Sequence, residues 1–483
     1  MKYNLFFKDC FHEKNFFAPA LFQYPLFFRK LSDLFNLKTS YKAILNISFP
    51  IMLGSAAQNV IALIDSVFLY HLSELDFAAI GFVGVFYLTV AAIGYGFSKG
   101  GQIIIARRLG EGNTSEVGKA FRVMLSFELA LATILFLFMQ YGTPWFFGLL
   151  VDSPHVLEKS LEYLEYRSWG VFFAYAGVSI IALYTGIAQT RFIIWDTIFM
   201  ALVNGILCYS LIFGHWGMPA MGIAGAGLSS TIAEIAALVV FIIYMMFDKK
   251  IRQFTLVRFQ SFSWDMLRLQ YQVSTPIIAQ MVVGLGSWFL FFSIVENLGE
   301  RELAITNLVR MVYLVLCIPT WGYASGVNTM VSGFIGMRKR QAVIPITWKT
   351  AKASWLSTMV IAIPILLFPT FFLYPLLGKT DMSLITDAQP IFYVLFGILT
   401  AFSIGAVFFN GLAGTGATLF GLKLQGIAVV FYIIYVYLII ETFEMGLAWA
   451  WAAEIFYWIF LLAISIWYLR SGKWHWLKIW KKA

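Results

Sequence analysis

Polar residues in this chain are crowded into short gaps between long apolar runs. A run of about 20 apolar residues is what a helix needs to cross the hydrocarbon core of a bilayer. About twelve such runs can be read: 41–70, 77–105, 118–141, 162–187, 191–213, 220–247, 268–297, 303–335, 348–375, 388–412, 419–441 and 445–470. The pattern predicts an all-α membrane protein with about twelve transmembrane helices. In lipid, backbone polar groups have to be satisfied within each helix.

Charge in the gaps adds an orientation. One set of loops carries Arg107, Arg108 and Lys119; Arg191; Lys249, Lys250, Arg252 and Arg258; Arg338, Lys339 and Arg340; and Lys423. The alternate set carries Glu74 and Asp76; Asp152 and Glu158; a nearly uncharged 214–219; Glu300, Arg301 and Glu302; Lys379, Asp381 and Asp387; and Glu441 and Glu444. Basic residues fall on every second loop, which marks those loops as cytoplasmic. Both termini are basic, so an even number of spans puts both in the cytoplasm of a multi-pass protein of the inner (plasma) membrane.

Composition removes the soluble alternative. The chain is 60% hydrophobic and 12% charged, with a mean hydropathy of +0.80. A soluble domain is about 45–50% apolar and about 25% charged. The net charge of +9 would suggest nucleic acid in a soluble protein; here it belongs to the loops, and no nucleic-acid partner is expected. Cys10, Cys208 and Cys317 are far apart and imply neither a disulfide framework nor a metal site. Residues 1–40 are rich in Phe, Lys and Arg but too interrupted to span, and lack the apolar core of a signal peptide. They read as a cytoplasmic extension, either interfacial or disordered.

The chain also echoes itself. Sliding it by 226 positions pairs Ser48 with Ser274, Pro50 with Pro276, Glu74 with Glu300, Tyr87 with Tyr313, Gly96 with Gly322, Gly100 with Gly326 and Gly110 with Gly336. A slightly different offset pairs Gly222, Ala224 and Ala226 with Gly446, Ala448 and Ala450. The unit is six spans, used twice in the same orientation, a parallel repeat. The expected organisation is an extension at 1–40, a first six-helix bundle at 41–247, a basic cytoplasmic linker at 248–267, a second bundle at 268–470 and a basic tail at 471–483.

Ionisable residues inside spans are costly and point to function. Those singled out are Asp65, Glu128, Arg167, Asp196, Glu234, Glu296, Arg310 and Glu454. Arg167, Asp196 and Glu296 lie near span ends, from which they are expected to snorkel to water. Asp65 lies deep in the first span, and Gln58, seven residues earlier, shares its helix face. Burial disfavours the ionised carboxylate, so such a group can carry a proton. Asn204 sits mid-span as a hydrogen-bonding group for a carboxylate or cargo, or as glue between helices. Ser229, Ser230, Thr231 and Glu234 form a polar stripe on the sixth span. Glu454 is the clearest buried acid of the second bundle, and Arg310 is a candidate partner for it or for Glu296. The segment 112–120 has the wrong spacing for a phosphate loop, with Ala120 where Ser or Thr would bind Mg²⁺. With no other ATP motif, an ion gradient is the expected energy source.

The stretch 47–117 contains Pro50, Gln58, Asp65, Ala78-Ala79-Ile80-Gly81, Gly94-Tyr95-Gly96 and Ala106-Arg107-Arg108-Leu109-Gly110-Glu111-Gly112. It resembles the start of the multidrug and toxic-compound extrusion (MATE) family. Thr185-Gly186-Ile187-Ala188-Gln189-Thr190-Arg191, Asn204 through Ile212-Phe213-Gly214, and Gly222-Ile223-Ala224-Gly225-Ala226 carry the likeness on, so that it covers about 41–470. The resemblance implies an antiporter of twelve helices in two six-helix bundles, exporting organic, often cationic or amphipathic, compounds in exchange for H⁺ or Na⁺. It implies that Asp65 is the first-helix carboxylate, Gln58 its neighbour, Asn204 the fifth-helix Asn and Ser230 a sixth-helix hydroxyl. Two positions depart from the pattern. Cys208 stands where many members have an Asp, and Gly284 where the norfloxacin-exporter branch has a Glu. The first departure argues against a two-carboxylate proton site in the first bundle; the second favours the DNA-damage-inducible (DinF-like) branch and argues against a Na⁺ site built on that Glu.

The sequence thus reads as a secondary active exporter, with Asp65, Gln58, Asn204, Ser230, Glu454 and Arg310 as candidate ion-coupling or cavity residues. No cofactor beyond a coupling ion, H⁺ or Na⁺, is expected, nor any partner beyond small substrates and the bilayer; the expected state is a monomer. The rival is a lipid-linked saccharide flippase of the wider superfamily, which would show about fourteen spans and an Arg-rich cavity. An enzyme would need clustered ligands, and the five His (12, 71, 155, 215 and 475) lie in tails or near span ends. The alternating loops predict that reporters fused after Lys249 and after Ala483 read cytoplasmic and one fused near Asp381 reads periplasmic. A periplasmic C-terminus would require an odd number of spans and end the six-plus-six arrangement.

Overall fold

In the computed structural model the described residues are 40–151, 153–256, 262–372 and 382–477; within them the side chains of 40, 55–63, 66, 67, 70, 74, 300 and 382 are not described. Most of the expected extension at 1–40, part of the linker at 257–261, the tail from 478 and the side chain of Gln58 therefore lie outside the described residues.

The first half runs α1 (Ser40–Leu72), α2 (Glu74–Gly110), α3 (Thr114–Leu137), α4 (Pro154–Arg167), α5 (Gly170–Gly186), α6 (Arg191–Phe213) and α7 (Gly222–Phe247). The second runs α8 (Trp264–Glu296), α9 (Glu300–Gly336), α10 (Val343–Leu367), α11 (Met382–Gly414), α12 (Thr418–Tyr437) and α13 (Ala453–Ser471). Among the described residues ten helices are long and apolar enough to cross a membrane, and α4 with α5 makes an eleventh span, bent by 55°. Helix α1, with 33 residues, completes the twelve read from the sequence. The helix starts are chemically marked: Ser73, Asn113 and Ser263 each accept a backbone N–H three residues on. Asn113 thus makes 112–120 a capped helix start, in accord with its rejection as a phosphate loop.

Four apolar cores show how the halves meet. One lies wholly in the first half and includes Leu69, Val83, Tyr87, Ala132, Tyr175, Cys208 and Ile223. One lies wholly in the second and includes Phe291, Leu308, Leu316, Leu395, Tyr432 and Trp451. The other two mix the halves: Phe97 to Leu109 of α2 with Met266 to Ile277 of α8, and Ile44 to Met52 of α1 with Tyr323 to Ile335 of α9. All four mixed segments lie at the end of the molecule that carries the basic loops. The bundles are joined there and keep separate cores at the acidic-loop end, and the faces of α2, α8 and α9 that run on from the joint carry exposed Tyr95, Leu285 and Met311, the walls of a cleft between the bundles.

The joint obeys the internal repeat. A Cβ on Gly100 would strike Ser274 and one on Gly326 would strike Ser48; Gly96 lies against Ile278 and Gly322 against Met52; Gly110 abuts the carbonyl of Gly333 and Gly336 that of Arg107. Each contact maps onto its partner by the 226-residue offset, so a pseudo-two-fold axis runs through the joint. Polar side chains close it further. Gln102 Nε2 donates to Thr329 Oγ1 at 2.7 Å, Ser274 Oγ to the Phe97 carbonyl at 3.0 Å and Ser332 Oγ to the Ile103 carbonyl at 2.7 Å. Small residues permit such close backbone approach in membranes. Replacing Gly100 with Val should part the bundles here. A cysteine placed at Ser325 should then react at least about tenfold faster with a hydrophilic thiol reagent, since local opening sets access. Unchanged labelling would show that glycine does not hold the joint shut.

Candidate functional site

The Asp65 carboxyl is buried between α1, α6 and α7. Ser230 Oγ donates to its Oδ2 at 3.0 Å and Cys208 Sγ to its Oδ1 at 3.0 Å. Asn204 Nδ2 donates to Ser230 Oγ at 3.0 Å, while the Asn204 Oδ1 is buried and has no partner among the described residues. Asp65, Asn204 and Ser230, singled out separately along the chain, therefore meet in one cluster, in which Asn204 supports Ser230. Cys208, read from the sequence only as the place of a missing carboxylate, touches both Asp65 and, at 2.8 Å, Ser229 Oγ. The spacing gave a signal for this: Asn204 and Cys208 are one helical turn apart on α6.

One turn along α7 from Ser230, Glu234 binds Arg167 through two bonds, Nη1 to Oε2 at 2.7 Å and Nη2 to Oε1 at 2.5 Å. The guanidinium also lies 3.9 Å from the ring centre of Tyr87. This overturns the expectation that Arg167 snorkels: it is buried where α4 meets α5, and its planar fork matches the carboxylate. Asp196 is also buried, with Oδ1 unpartnered, so it too fails to snorkel; Glu296 is exposed at the end of α8. Glu128 is fully buried and accepts from Ser98 Oγ at 2.7 Å.

In the second bundle Glu454 is buried and accepts from Trp458 Nε1 at 3.1 Å. The expected pairing with Arg310 does not form. The Arg310 Nη2 reaches Asn307 Oδ1 at 3.4 Å, and the guanidinium lies 5.4 Å from the Phe292 ring. Glu454 follows Ser230, and Tyr432 follows Cys208, by the spacing that separates Gly446 from Gly222. The two bundles thus set different chemistry at matching positions.

The sequence reading passed over Lys99, which lies in the second span on α2, half-buried and, among the described residues, without a hydrogen bond or ion pair. Its signal was an ionisable residue inside an apolar run, the criterion that picked out Asp65. Among the described residues no three His, Cys, Asp or Glu side chains converge as metal ligands. What the site offers is buried carboxyl groups with neutral donors, an arrangement that can take up or release a proton.

The MatE family model matches residues 50–210 and again 276–438, two copies whose starts differ by the repeat offset. The "Probable multidrug resistance protein NorM" of Agrobacterium fabrum is 27% identical over 254 residues, covering 50% of this chain and 53% of that protein, so the chain spans about half of that relative's length. The protein of the same name from Thermotoga maritima is 24% identical over 446 residues, covering 90% of this chain and 93% of that protein. Among solved structures, an outward-facing conformation of a multidrug resistance MATE family transporter of the MOP superfamily matches with a TM-score of 0.82 at 18% identity, covering 89% of this chain and 95% of that chain. A MOP superfamily transporter from Pyrococcus furiosus matches with a TM-score of 0.80 at 18% identity, with coverage of 89% and 95%. At such identity the likeness is one of fold.

The Arg167–Glu234 pair generates a stability prediction. Arg167→Met leaves a buried carboxylate without its cation and should cost about 3–5 kcal/mol, whereas Arg167→Met with Glu234→Leu should recover most of that loss. Thermal unfolding of the purified variants reads both. A single variant as stable as the parent would mean that the pair does not hold α4 and α5 to α7.

Proposed function

The chain belongs to the MatE family, and from that premise we propose that it is a secondary active exporter of small amphipathic organic compounds, driven by exchange for an ion at Asp65. The observation that carries this reading is a deeply placed carboxyl whose two oxygens accept from a hydroxyl and a thiol. Neutral donors leave the charge of an ionised Asp65 uncompensated at contact distance, so protonation is the low-cost way to keep it buried. A protonated carboxyl needs an acceptor, and the unpartnered Asn204 Oδ1 in the same cluster supplies one. The thiol contact favours H⁺ over Na⁺, because neutral sulfur is a poor ligand for a hard cation, whereas the Ser230 hydroxyl and the Asn204 Oδ1 suit either ion. Cys208 serves here as a weak donor and not as a second acid, since a thiol in apolar surroundings stays neutral.

With the basic loops in the cytoplasm, the glycine joint closes the cytoplasmic side and the cleft faces outward. Alternating access then needs the joint to open and the far ends to meet. Proton uptake at Asp65 biases that exchange only through a difference in affinity between the two arrangements. Ser230 and Cys208 belong to α7 and α6, so a change in the Asp65 hydrogen bonds alters how α1 seats on those helices. Helix α1 also carries Ser48 and Met52 in the joint.

The test is export from energised vesicles. An uncoupler should abolish it with ATP held constant. Asp65→Asn should leave expression and insertion intact and remove gradient-driven export. Normal coupled export by Asp65→Asn, with loss in Glu454→Gln, would move the coupling site to the second bundle.

A further inference from the structure

The wall of the cleft can be followed from the joint outward along single helix faces. On α2, Gln102 and Ala106 meet α9 in the joint. The same stripe continues through Lys99 and Tyr95 and, two turns on, to Leu88; Tyr95 and Leu88 are 42% and 56% exposed. Across the cleft, the α8 stripe that begins at Ile278 continues to Leu285, and the α9 stripe that begins at Ser325 continues to Leu314 and Met311, all of them uncovered. Lys99 therefore lies between the α2 positions that meet α8 and those that meet α9, immediately beyond the joint, and the walls that continue from there carry exposed Leu285, Leu314 and Met311. Among the described residues no carboxylate forms an ion pair with it. The acids of this region are turned elsewhere: Asp65 faces α6 and α7, Glu128 faces Ser98, Glu234 is spent on Arg167, and Glu454 faces Trp458.

We propose that the cleft takes amphipathic organic anions, with Lys99 meeting the carboxylate, sulfonate or phosphate group and the α8 and α9 walls holding the apolar part. A lone ammonium among apolar walls repels a cationic ligand and pairs strongly with an anionic one, because the low local dielectric amplifies both effects. A Lys accepts varied anion geometries as a point charge, which suits a broad cargo class. The resemblance to a family of often cationic cargo does not carry this preference; the unpaired charge does. The proposal rests on the exporter reading in placing cargo in the cleft.

The experiment measures binding of three probes with one ring system, 1-pyrenesulfonate, 1-pyrenemethylammonium and neutral 1-pyrenemethanol, to the purified full chain in detergent, and their gradient-driven movement in proteoliposomes. The native protein should bind the sulfonate at least about tenfold more tightly than the ammonium. Lys99→Gln should abolish that ratio and leave binding of the neutral probe unchanged, Lys99→Arg should keep the ratio, and Lys99→Glu should invert it. Equal binding of the two ions, a preference for the ammonium, or a sulfonate preference that survives Lys99→Gln would each overturn the inference. Absence of gradient-driven movement for every probe, with the binding ratio intact, would instead overturn the exporter reading.

Discussion

Backbone-to-backbone contact at the basic end, made possible by Gly96, Gly100 and Gly110 and their repeats Gly322, Gly326 and Gly336, is the constraint on which the arrangement of the two halves depends. Each bundle has its own apolar core beyond the joint. The halves are held to each other by close approach and a handful of side-chain hydrogen bonds. In a membrane, where lipid competes for apolar contact, an interhelical hydrogen bond contributes about 0.6 kcal/mol on average. The polar part of the joint therefore amounts to a few kcal/mol. Swinging a two-state equilibrium from one extreme to the other takes about 5.5 kcal/mol, so the polar part of the joint is of a strength that a proton and a ligand together can overcome.

The first bundle joins two kinds of buried charge on one helix. Helix α7 presents Ser230 to Asp65 and, one turn later, Glu234 to Arg167. The bidentate pair is fully compensated and fixes the bend between α4 and α5. The carboxyl of Asp65 has only neutral donors and can change its protonation without breaking an ion pair. A rigid charge pair beside a titratable one gives a fixed reference against which α1 can move.

Departure from symmetry is as informative as symmetry. The glycine contacts of the joint follow the repeat, because they need only small residues and exposed carbonyls on both sides, whereas its side-chain hydrogen bonds do not: Ser274 Oγ bonds the Phe97 carbonyl, while its counterpart Ser48 Oγ has no partner among the described residues. The buried clusters depart from it as well: Glu454 occupies the place of Ser230, and Tyr432 that of Cys208. The acid has moved from the first helix of one bundle to the last helix of the other. The lining of the cleft is also unequal, with Lys99 on the first-bundle side and apolar side chains opposite.

The sequence by itself determined the spans, their number and the six-plus-six repeat, since lipid imposes length and composition on every crossing helix. It also marked Asp65, Asn204, Ser230 and Glu454, because a polar group in an apolar run stands out without any knowledge of its neighbours. What a buried group touches is a long-range matter, set by how the helices pack. Cys208 met Asp65 across 143 residues of sequence. Arg167, at a span end by position, turned inward because Glu234 lay opposite the bend, while Arg310 pairs with no acid among the described residues. The matched glycines were visible as an echo, but their meaning as a joint appeared only when each fell against its partner's backbone. Lys99 met the same criterion as Asp65; that it is unpaired and faces the cleft depends on the separation of the bundles beyond the joint, which local sequence does not encode.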